Sequence, residues 1–146
     1  MIKWTEIAAK ASIQRYECLS AFLKDQGVEN QFVPIECTVD TFSEVLKDSM
    51  RIYDQIRVGS PFGERVPEQV SAIPFETITL KSADCLIRSG SHWWARSMLA
   101  EGIVREVALL KKIDISDTAF IVGAGSSCRA VISALLKMGF KKFNIT

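Results

Sequence analysis

The stretch that decides the fold is Ala119-Phe120-Ile121-Val122-Gly123-Ala124-Gly125-Ser126-Ser127-Cys128-Arg129-Ala130. Its apolar start predicts a short buried strand, and the glycines predict a sharp turn out of that strand. Apolar residues then recur at helical spacing until Gly139, which is placed to end the helix, and residues 140–145 predict a second strand. The chain therefore contains one β-α-β unit close to its last residue.

The glycine turn has the chemistry that seats the diphosphate of a dinucleotide. The first glycine permits the turn, the second lets backbone approach a phosphate, and the serines stand where helix amides favour an anion. Cys128 takes the third fingerprint position, where Gly or Ala is usual, so the match is loosened. The alternative is a tight turn in an α/β domain that binds nothing. The predicted cofactor-binding residues are Gly123, Ala124, Gly125, Ser126 and Ser127.

Composition limits the kinds of protein that this chain can be. With 146 residues, of which 48% are hydrophobic, it is long enough to bury a core of its own. A net charge of +1 gives no electrostatic basis for binding nucleic acid, and no apolar run approaches the roughly 20 residues of a membrane span. Residues 1–6 show no leader pattern. We expect a cytoplasmic protein without a nucleic-acid or membrane partner.

The cysteines form no metal-binding pattern. They are Cys18, Cys37, Cys85 and Cys128, and no two of them make a CxxC pair. His92 is the single histidine, and we expect it to lie on the surface. The sequence thus predicts free thiols in a reducing compartment and no metal site.

Upstream of the turn, strands and helices are predicted to alternate, which favours an α/β fold with a mostly parallel sheet. Glu101 precedes Arg105 by four residues, a spacing that predicts an ion pair along one helix. The predicted strands lie at 32–39, 55–58, 77–80, 85–88 and 92–95, and the helices at 12–26, 68–72, 99–112 and after a capping box at 41–44.

This order, with Gly-Ala-Gly-x-x-x-Arg-Ala late in the chain, resembles the shikimate dehydrogenase family. The resemblance implies a substrate domain joined to a Rossmann domain, and reduction of 3-dehydroshikimate with NADPH in aromatic amino acid biosynthesis. It divides the chain into a substrate-binding α/β domain at 1–98, a linking helix and connector at 99–117, and an incomplete Rossmann domain at 118–146.

Two motifs of the family fall in the first half of the chain. Ser-x-Ser-Pro, whose serines hold the substrate carboxylate, looks like the segment from Ser12, with Gln14 in place of the second serine. Val-Thr-Ile-Pro-His-Lys looks like Val58-Gly59-Ser60-Pro61-Phe62-Gly63, so glycine replaces the catalytic lysine. The resemblance implies substrate contacts at Ser12, Gln14 and Ser60; for Ser12, a simple helix N-cap is the alternative.

Two further motifs follow, 16 positions apart. Cys85 stands where the family has Asn at a strand end, and Leu99-Ala100-Glu101-Gly102 resembles Asn-Thr-Asp-Gly. The resemblance therefore implies that Glu101 is the acid–base carboxylate and that Cys85 contacts the substrate. The alternative for Glu101 is a first-turn helix acid favoured by the helix dipole and by Arg105.

Three functions remain open at this point. The first is a dehydrogenase that uses NADP or NAD on a small hydroxy acid, with the cofactor held fully only if the chain continues. The second is a catalytically silent relative that binds a small ligand or a protein, because Gly63 replaces the lysine. The third is an enzyme of the same plan with another hydroxy or amino acid as its substrate. We expect either a fragment of a longer protein or a homodimer in which each copy covers the other's unfinished unit.

Overall fold

The computed structural model describes residues 1–70, 74–110 and 113–146. Elements within those ranges alternate between strands and helices along most of the chain. The strands are β1 (Ile2–Ala8), β2 (Asn30–Glu36), β3 (Gln55–Val58), β4 (Cys85–Ser89), β5 (His92–Arg96), β6 (Thr118–Ile121) and β7 (Lys142–Ile145). The helices are α1 (Ile13–Asp25), α2 (Phe42–Ile52), α3 (Phe75–Leu80), α4 (Met98–Ala108) and α5 (Ser126–Lys137), with a 3₁₀ helix at Phe62–Glu68.

Five strands form the larger sheet, in the spatial order β2-β1-β3-β4-β5. β1 pairs in parallel with β2 and with β3, whereas β4 is antiparallel to both of its neighbours. β6 and β7 form a separate parallel pair. These pairings confirm the predicted α/β class with a mostly parallel sheet. β2 is an edge strand, which accounts for Pro34, because proline has no amide hydrogen to donate to a second neighbouring strand.

The main core covers one face of the larger sheet. Ile7, Ile56 and Leu86 come from three neighbouring strands and are fully buried on that face. Phe42 of α2 stacks on Phe62 of the 3₁₀ helix, with ring centroids 4.6 Å apart. Because strand side chains alternate, the residues between these core positions point to the opposite face.

The β-α-β unit forms as predicted. α5 crosses from β6 to β7 and buries a small second core around Ile121, Leu135 and Phe140. Gly123 and Gly139 adopt φ of 108° and 101°, the left-handed region that favours glycine, at the two ends of the crossover. α5 also packs against α4, so the unit is joined to the rest of the chain by helix–helix contact.

Sequence analysis misses one strand and assigns another segment wrongly. β1, which pairs on both sides, is not predicted, because Lys3 and Glu6 interrupt its apolar pattern. The strand predicted at 77–80 is wrong: this segment belongs to α3, where buried Thr77 donates a hydrogen bond of 3.3 Å to the Ala95 carbonyl. The β-branched residues of this segment favour a strand. However, β propensity depends on context, and tertiary packing overrides it here.

Helix ends also differ from prediction. The capping box at 41–44 is wrong, since the Thr41 hydroxyl makes no cap bond to α2 and instead accepts from the Thr38 amide at 3.1 Å. The helices predicted at 12–26 and 99–112 are present as α1 and α4. Part of the predicted helical piece at 68–72, and the last two residues of 99–112, lie outside the described residues.

Candidate functional site

The candidate site lies at the edge of the larger sheet where β1 and β3 end. Backbone bonds hold the two exits together there: the Gly59 amide donates to the Ile7 carbonyl at 2.9 Å, and the Ala9 amide donates to the Ser60 carbonyl at 3.3 Å. The carboxyl ends of parallel strands are where ligands bind in open α/β sheets. Ser60, whose side chain is exposed, is therefore at the expected edge.

β4 begins at this same edge because it runs opposite to β3. The Val58 amide donates to the Asp84 carbonyl at 2.9 Å, which places Cys85 beside the end of β3. Ser12 immediately precedes α1, four residues after β1 ends. The fold thus brings Ser12, Ser60 and Cys85 to one edge, as their assignment to one site requires.

A row of polar side chains crosses the sheet at this edge, on the face opposite the main core. Register pairs Glu6 with Arg57, Arg57 with Cys85, and Cys85 with Arg96. Paired residues on neighbouring strands share a face, so these four side chains lie side by side. Arg57 Nε lies 3.4 Å from Glu6 Oε1. Sequence analysis found only Cys85 of these four, because the others come from strands whose register cannot be read from sequence.

Glu101 of α4 extends the row by pairing with Arg96. Its Oε1 accepts from Arg96 Nε at 3.0 Å and from Nη2 at 2.6 Å. The predicted pair with Arg105 is wrong, since the carboxylate turns to the strand instead of lying along its helix. The Glu101 side chain is 27% exposed and that of Arg96 47%, so the pair is open to solvent. Glu101 is at the site, and Arg96 fixes its orientation.

Cys85 is a neutral thiol in this row. Burial raises its pKa to about 11; nearby Asp84 adds to the rise, and Arg57 and Arg96 oppose it. A protonated thiol is a weak hydrogen-bond donor and a poor nucleophile at neutral pH. At this position Cys85 can therefore contact a substrate but not attack it.

Asp84 fixes the start of α4 and was not found from sequence. Its Oδ1 accepts from the Met98 amide at 2.7 Å and its Oδ2 from the Leu99 amide at 2.8 Å. Ser97, at the N-cap position itself, makes no side-chain cap bond. The capping acid comes from the residue just before β4, far from α4 in sequence, so local capping patterns do not reveal it. Through it, Glu101 is held in place relative to Cys85.

Ser12 and Gln14 frame the other end of the row. Ser12 occupies the N-cap position of α1, but its hydroxyl makes no cap bond, which removes the capping alternative. Its amide donates to Glu6 Oε2 at 3.2 Å, and the preceding amide, of Ala11, donates to Glu36 Oε1 at 3.0 Å. Gln14 is exposed. Two carboxylates of the chain therefore lie beside the backbone of Ala11 and Ser12, next to the side chain that the resemblance assigns to the substrate carboxylate.

Gly63 lies against protein on the side where a side chain would project. A Cβ at this position would lie 2.9 Å from Ser82 Oγ and 3.1 Å from the Ala83 carbonyl oxygen. The Ala83 amide also donates to the Gly63 carbonyl at 2.9 Å, which fixes the two segments together. The local packing has closed over the position that the resemblance assigns to lysine.

The glycine turn is partly available to an anion. The Gly123 amide donates to the Thr146 carbonyl at 2.7 Å, so it extends the β6–β7 ladder and cannot also bind a phosphate. Gly123 contributes its positive φ instead. Within the described ranges, no acceptor is bonded to the amides from Ala124 to Ser127, which precede or open α5. A Cβ on Gly125 would meet nothing within 4 Å, so packing inside the chain does not require glycine there.

The start of α5 contacts the 3₁₀ helix that follows β3. Arg129 Nη2 forms an ion pair with Glu64 Oε1, and Glu64 directly follows Gly63. The glycine turn and the exit of β3 thus approach each other through two charged side chains.

Other surface features do not coincide with this edge. A hollow of about 290 Å³ is lined by Ile115, Ser116, Gly139, Lys141 and Lys142, none of which is a predicted site residue. In the part of the chain that the structure describes, no three His, Cys, Asp or Glu residues are grouped to hold a metal ion. No described helix has the length and apolarity needed to cross a bilayer. All four cysteines are free.

Comparison with known proteins agrees with this arrangement. No family model matches the chain. The NADP(+) shikimate dehydrogenase of Thermotoga maritima is 28% identical over 123 residues, which cover 82% of this chain and 44% of that protein. The chain is thus similar to shikimate dehydrogenases over most of its length and diverges from them in sequence. It spans less than half the length of the curated relatives that it matches.

Solved structures show the same fold. Shikimate dehydrogenase from Thermus thermophilus, in complex with NADP(H) and shikimate, matches with a TM-score of 0.85 at 17% identity, over 99% of this chain and 55% of that one. The ligand-free 5-ketofructose reductase of a Gluconobacter species also matches with a TM-score of 0.85, at 13% identity, over 99% of this chain and 52% of that one. The shikimate dehydrogenase-like α/β fold therefore extends over essentially the whole chain.

Proposed function

We propose that the chain forms the substrate domain and the start of the cofactor domain of a cytoplasmic, NADP-linked oxidoreductase. Its reaction would be reduction of a ring carbonyl, with 3-dehydroshikimate or a related ring hydroxy acid as the first substrate to test. The observation that carries the proposal is the ion pair of Arg129 with Glu64, by which the start of α5, after the glycine turn, contacts the segment that follows β3. A hydride donor and its acceptor must be neighbours in this way.

In this proposal, the glycine turn binds the diphosphate of the nucleotide. Free amides from Ala124 to Ser127 would donate to phosphate oxygens, and the dipole of α5 favours their charge. Gly125 supports this role, because its missing side chain has no explanation within the described packing. When bound, the nicotinamide supplies the hydride. The chain's own residues bind the nucleotide and bring it to the sheet edge.

Glu101 is the proposed acid–base residue. Its carboxylate is bonded to Arg96 at the end of the polar row, and its charge acts on Cys85. We propose that it exchanges a proton with a substrate hydroxyl that contacts Cys85. Arg96 orients the carboxylate, and Asp84 fixes the helix that carries it. The hydroxyls of Ser12 and Ser60 and the amide of Gln14 complete the proposed substrate contacts.

Turnover by the full-length natural protein tests this function. We expect NADP-dependent oxidation of shikimate or another ring polyol. The rise in the absorbance of NADPH measures this reaction. Glu101→Gln keeps the size of the side chain and should lower kcat at least a hundredfold. Glu44→Gln, an exposed acid on α2, is the matched control and should leave the rate unchanged. Equal rates for wild type and Glu101→Gln would contradict the assigned role.

The second candidate is a silent relative that binds a small ligand or a protein, and Gly63 favours it. A Cβ at position 63 would crowd Ser82 and the Ala83 carbonyl, so the chain lacks the lysine that the resemblance implies and has no ready room for its first side-chain atom. Nucleotide binding without turnover on a panel of ring polyols and hydroxy acids would support this candidate. The match to a 5-ketofructose reductase indicates only that the fold is not limited to acid substrates.

A further inference from the structure

We propose that Glu6 is a specificity-determining residue that excludes a carboxylate from the α1 end of the site, so that the substrate is an uncharged polyol or hydroxy ketone. This inference rests on the proposed function: it keeps the reaction and the site, and it replaces the charged ring hydroxy acid by an uncharged substrate. It follows from which groups already occupy the backbone donors before α1.

Glu6 is an acid in an unusual place. It lies within the sheet on β1, and its side chain is only 5% exposed. Burial of a carboxylate requires partners, because its charged form loses hydration. Two are present: the Ser12 amide donates to Oε2 at 3.2 Å, and Arg57 Nε lies 3.4 Å from Oε1. The carboxylate is thus fixed at the entrance to α1.

A second acid, Glu36, adds to the negative charge at the start of α1. Glu36, at the end of the neighbouring strand β2, accepts the Ala11 amide at 3.0 Å. The two successive amides before α1 are therefore already bonded to carboxylates of the chain itself. An incoming carboxylate at the Ser12 hydroxyl would find the neighbouring amides already bonded and would face two negative charges, of which Arg57 offsets only one. An uncharged hydroxyl faces no such repulsion and can use the exposed Glu36 carboxylate as an acceptor.

Gly59 gives independent support for Glu6 as a shaping residue. It stands where the related motif has threonine, and a Cβ there would lie 3.2 Å from Glu6 Oε1 and 2.8 Å from Ala8 Cβ. The room that a threonine would occupy is thus partly filled by the Glu6 carboxylate. The two positions are sterically matched, as expected if Glu6 has reshaped the pocket wall.

Ligands that differ only in charge test the proposal. Shikimate and its methyl ester share ring and hydroxyls, and their binding to the full-length natural protein can be measured by calorimetry in the presence of NADP. We expect the ester to bind at least tenfold more tightly than the acid. Glu6→Gln should bring the ratio of the two affinities close to one, Glu36→Gln should reduce it partly, and Glu44→Gln should leave it unchanged.

The outcomes separate this proposal from the proposed function. Equal or tighter binding of shikimate by the wild type, an unchanged ratio in a folded Glu6→Gln, or binding of neither ligand would each overturn it. If Glu6→Gln does not fold, the exposed Glu36→Gln decides in the same way. Turnover is recorded on the same samples. A preference for the ester without any NADPH formation would contradict the proposed dehydrogenase activity and would still support the role of Glu6.

Discussion

Arg96 and Glu101 join the last strand of the larger sheet to the helix that follows it. Both Nε and Nη2 of the guanidinium donate to a single carboxylate oxygen, at 3.0 and 2.6 Å. No bond to the second oxygen of Glu101 is found among the described residues, so that oxygen is available to a ligand. A carboxylate that is oriented in this way can act on a ligand without searching through its rotamers.

Replacing Arg96 should impair turnover more than stability. An ion pair this exposed contributes about 0–1 kcal/mol to the free energy of unfolding. We expect Arg96→Met to lower kcat at least tenfold, with KM and the melting temperature little changed. Arg51→Met, which removes an exposed pair with Asp48 on α2, is the matched control and should alter neither. A drop in melting temperature that accounts for the lost activity would make Arg96 merely structural.

Asp84 should be a stabilising residue despite its exposed bonds. Asp84→Ala removes both acceptors from the start of α4, and loss of a helix cap costs about 1–2 kcal/mol of unfolding free energy. Chemical denaturation followed by circular dichroism measures this cost. Asp48→Ala, an exposed acid in the middle of α2, should cost no more than about 0.5 kcal/mol. Equal costs for the two variants would show that Asp84 does not cap α4.

Introducing lysine at position 63 should not accelerate turnover. The Cβ of Gly63→Lys would overlap Ser82 and the Ala83 carbonyl, and overpacking of this kind costs about 1–3 kcal/mol. We expect a lower melting temperature and no gain in kcat. The control Gly102→Lys has open space within 4 Å and lies in α4, where replacing glycine should be neutral or stabilising. A faster and equally stable Gly63→Lys would refute this packing argument.

Cys85 should resist alkylation and make stability depend on alkaline pH. Iodoacetamide at pH 8 should modify exposed Cys18 first and leave Cys85 unmodified, as read by peptide mass spectrometry. The folded-state pKa of Cys85 is raised from 9.0 to about 11, so its contribution to stability is complete below pH 9 and is lost as pH rises through 11. Cys85→Ser should flatten this decline, and an unchanged decline would assign it to other groups.

Gly125 should matter for nucleotide affinity and not for folding. Gly125→Ala adds a methyl group that meets no described atom within 4 Å, so the melting temperature should hold. If a diphosphate lies against this backbone, the same methyl should weaken NADP binding at least tenfold, which is measurable by fluorescence titration. Leu136→Ala, exposed near the other end of α5, should retain the affinity. Unchanged NADP binding in Gly125→Ala would remove the turn from the cofactor site.

Several elements could be recognised from short stretches because their cause is short-range. The β-α-β unit is an example: an apolar strand, two glycines and a helical repeat follow one another directly, and each acts on its immediate neighbours. The same holds for β3, whose predicted and observed limits coincide at Gln55–Val58. The family resemblance also came from such stretches, since its motifs are contiguous.

Contacts between distant segments were decided only by folding. Glu6 interrupts an apolar strand pattern, and its burial makes sense once Arg57 and the Ser12 amide are beside it. Glu101 has a suitable partner four residues away in Arg105, yet it bonds to Arg96, because the short connection from β5 to α4 brings the end of the strand beside the first turn of the helix. Periodicity acts over a few residues along the chain, whereas charge pairing and register depend on distances in space, which only the assembled sheet defines.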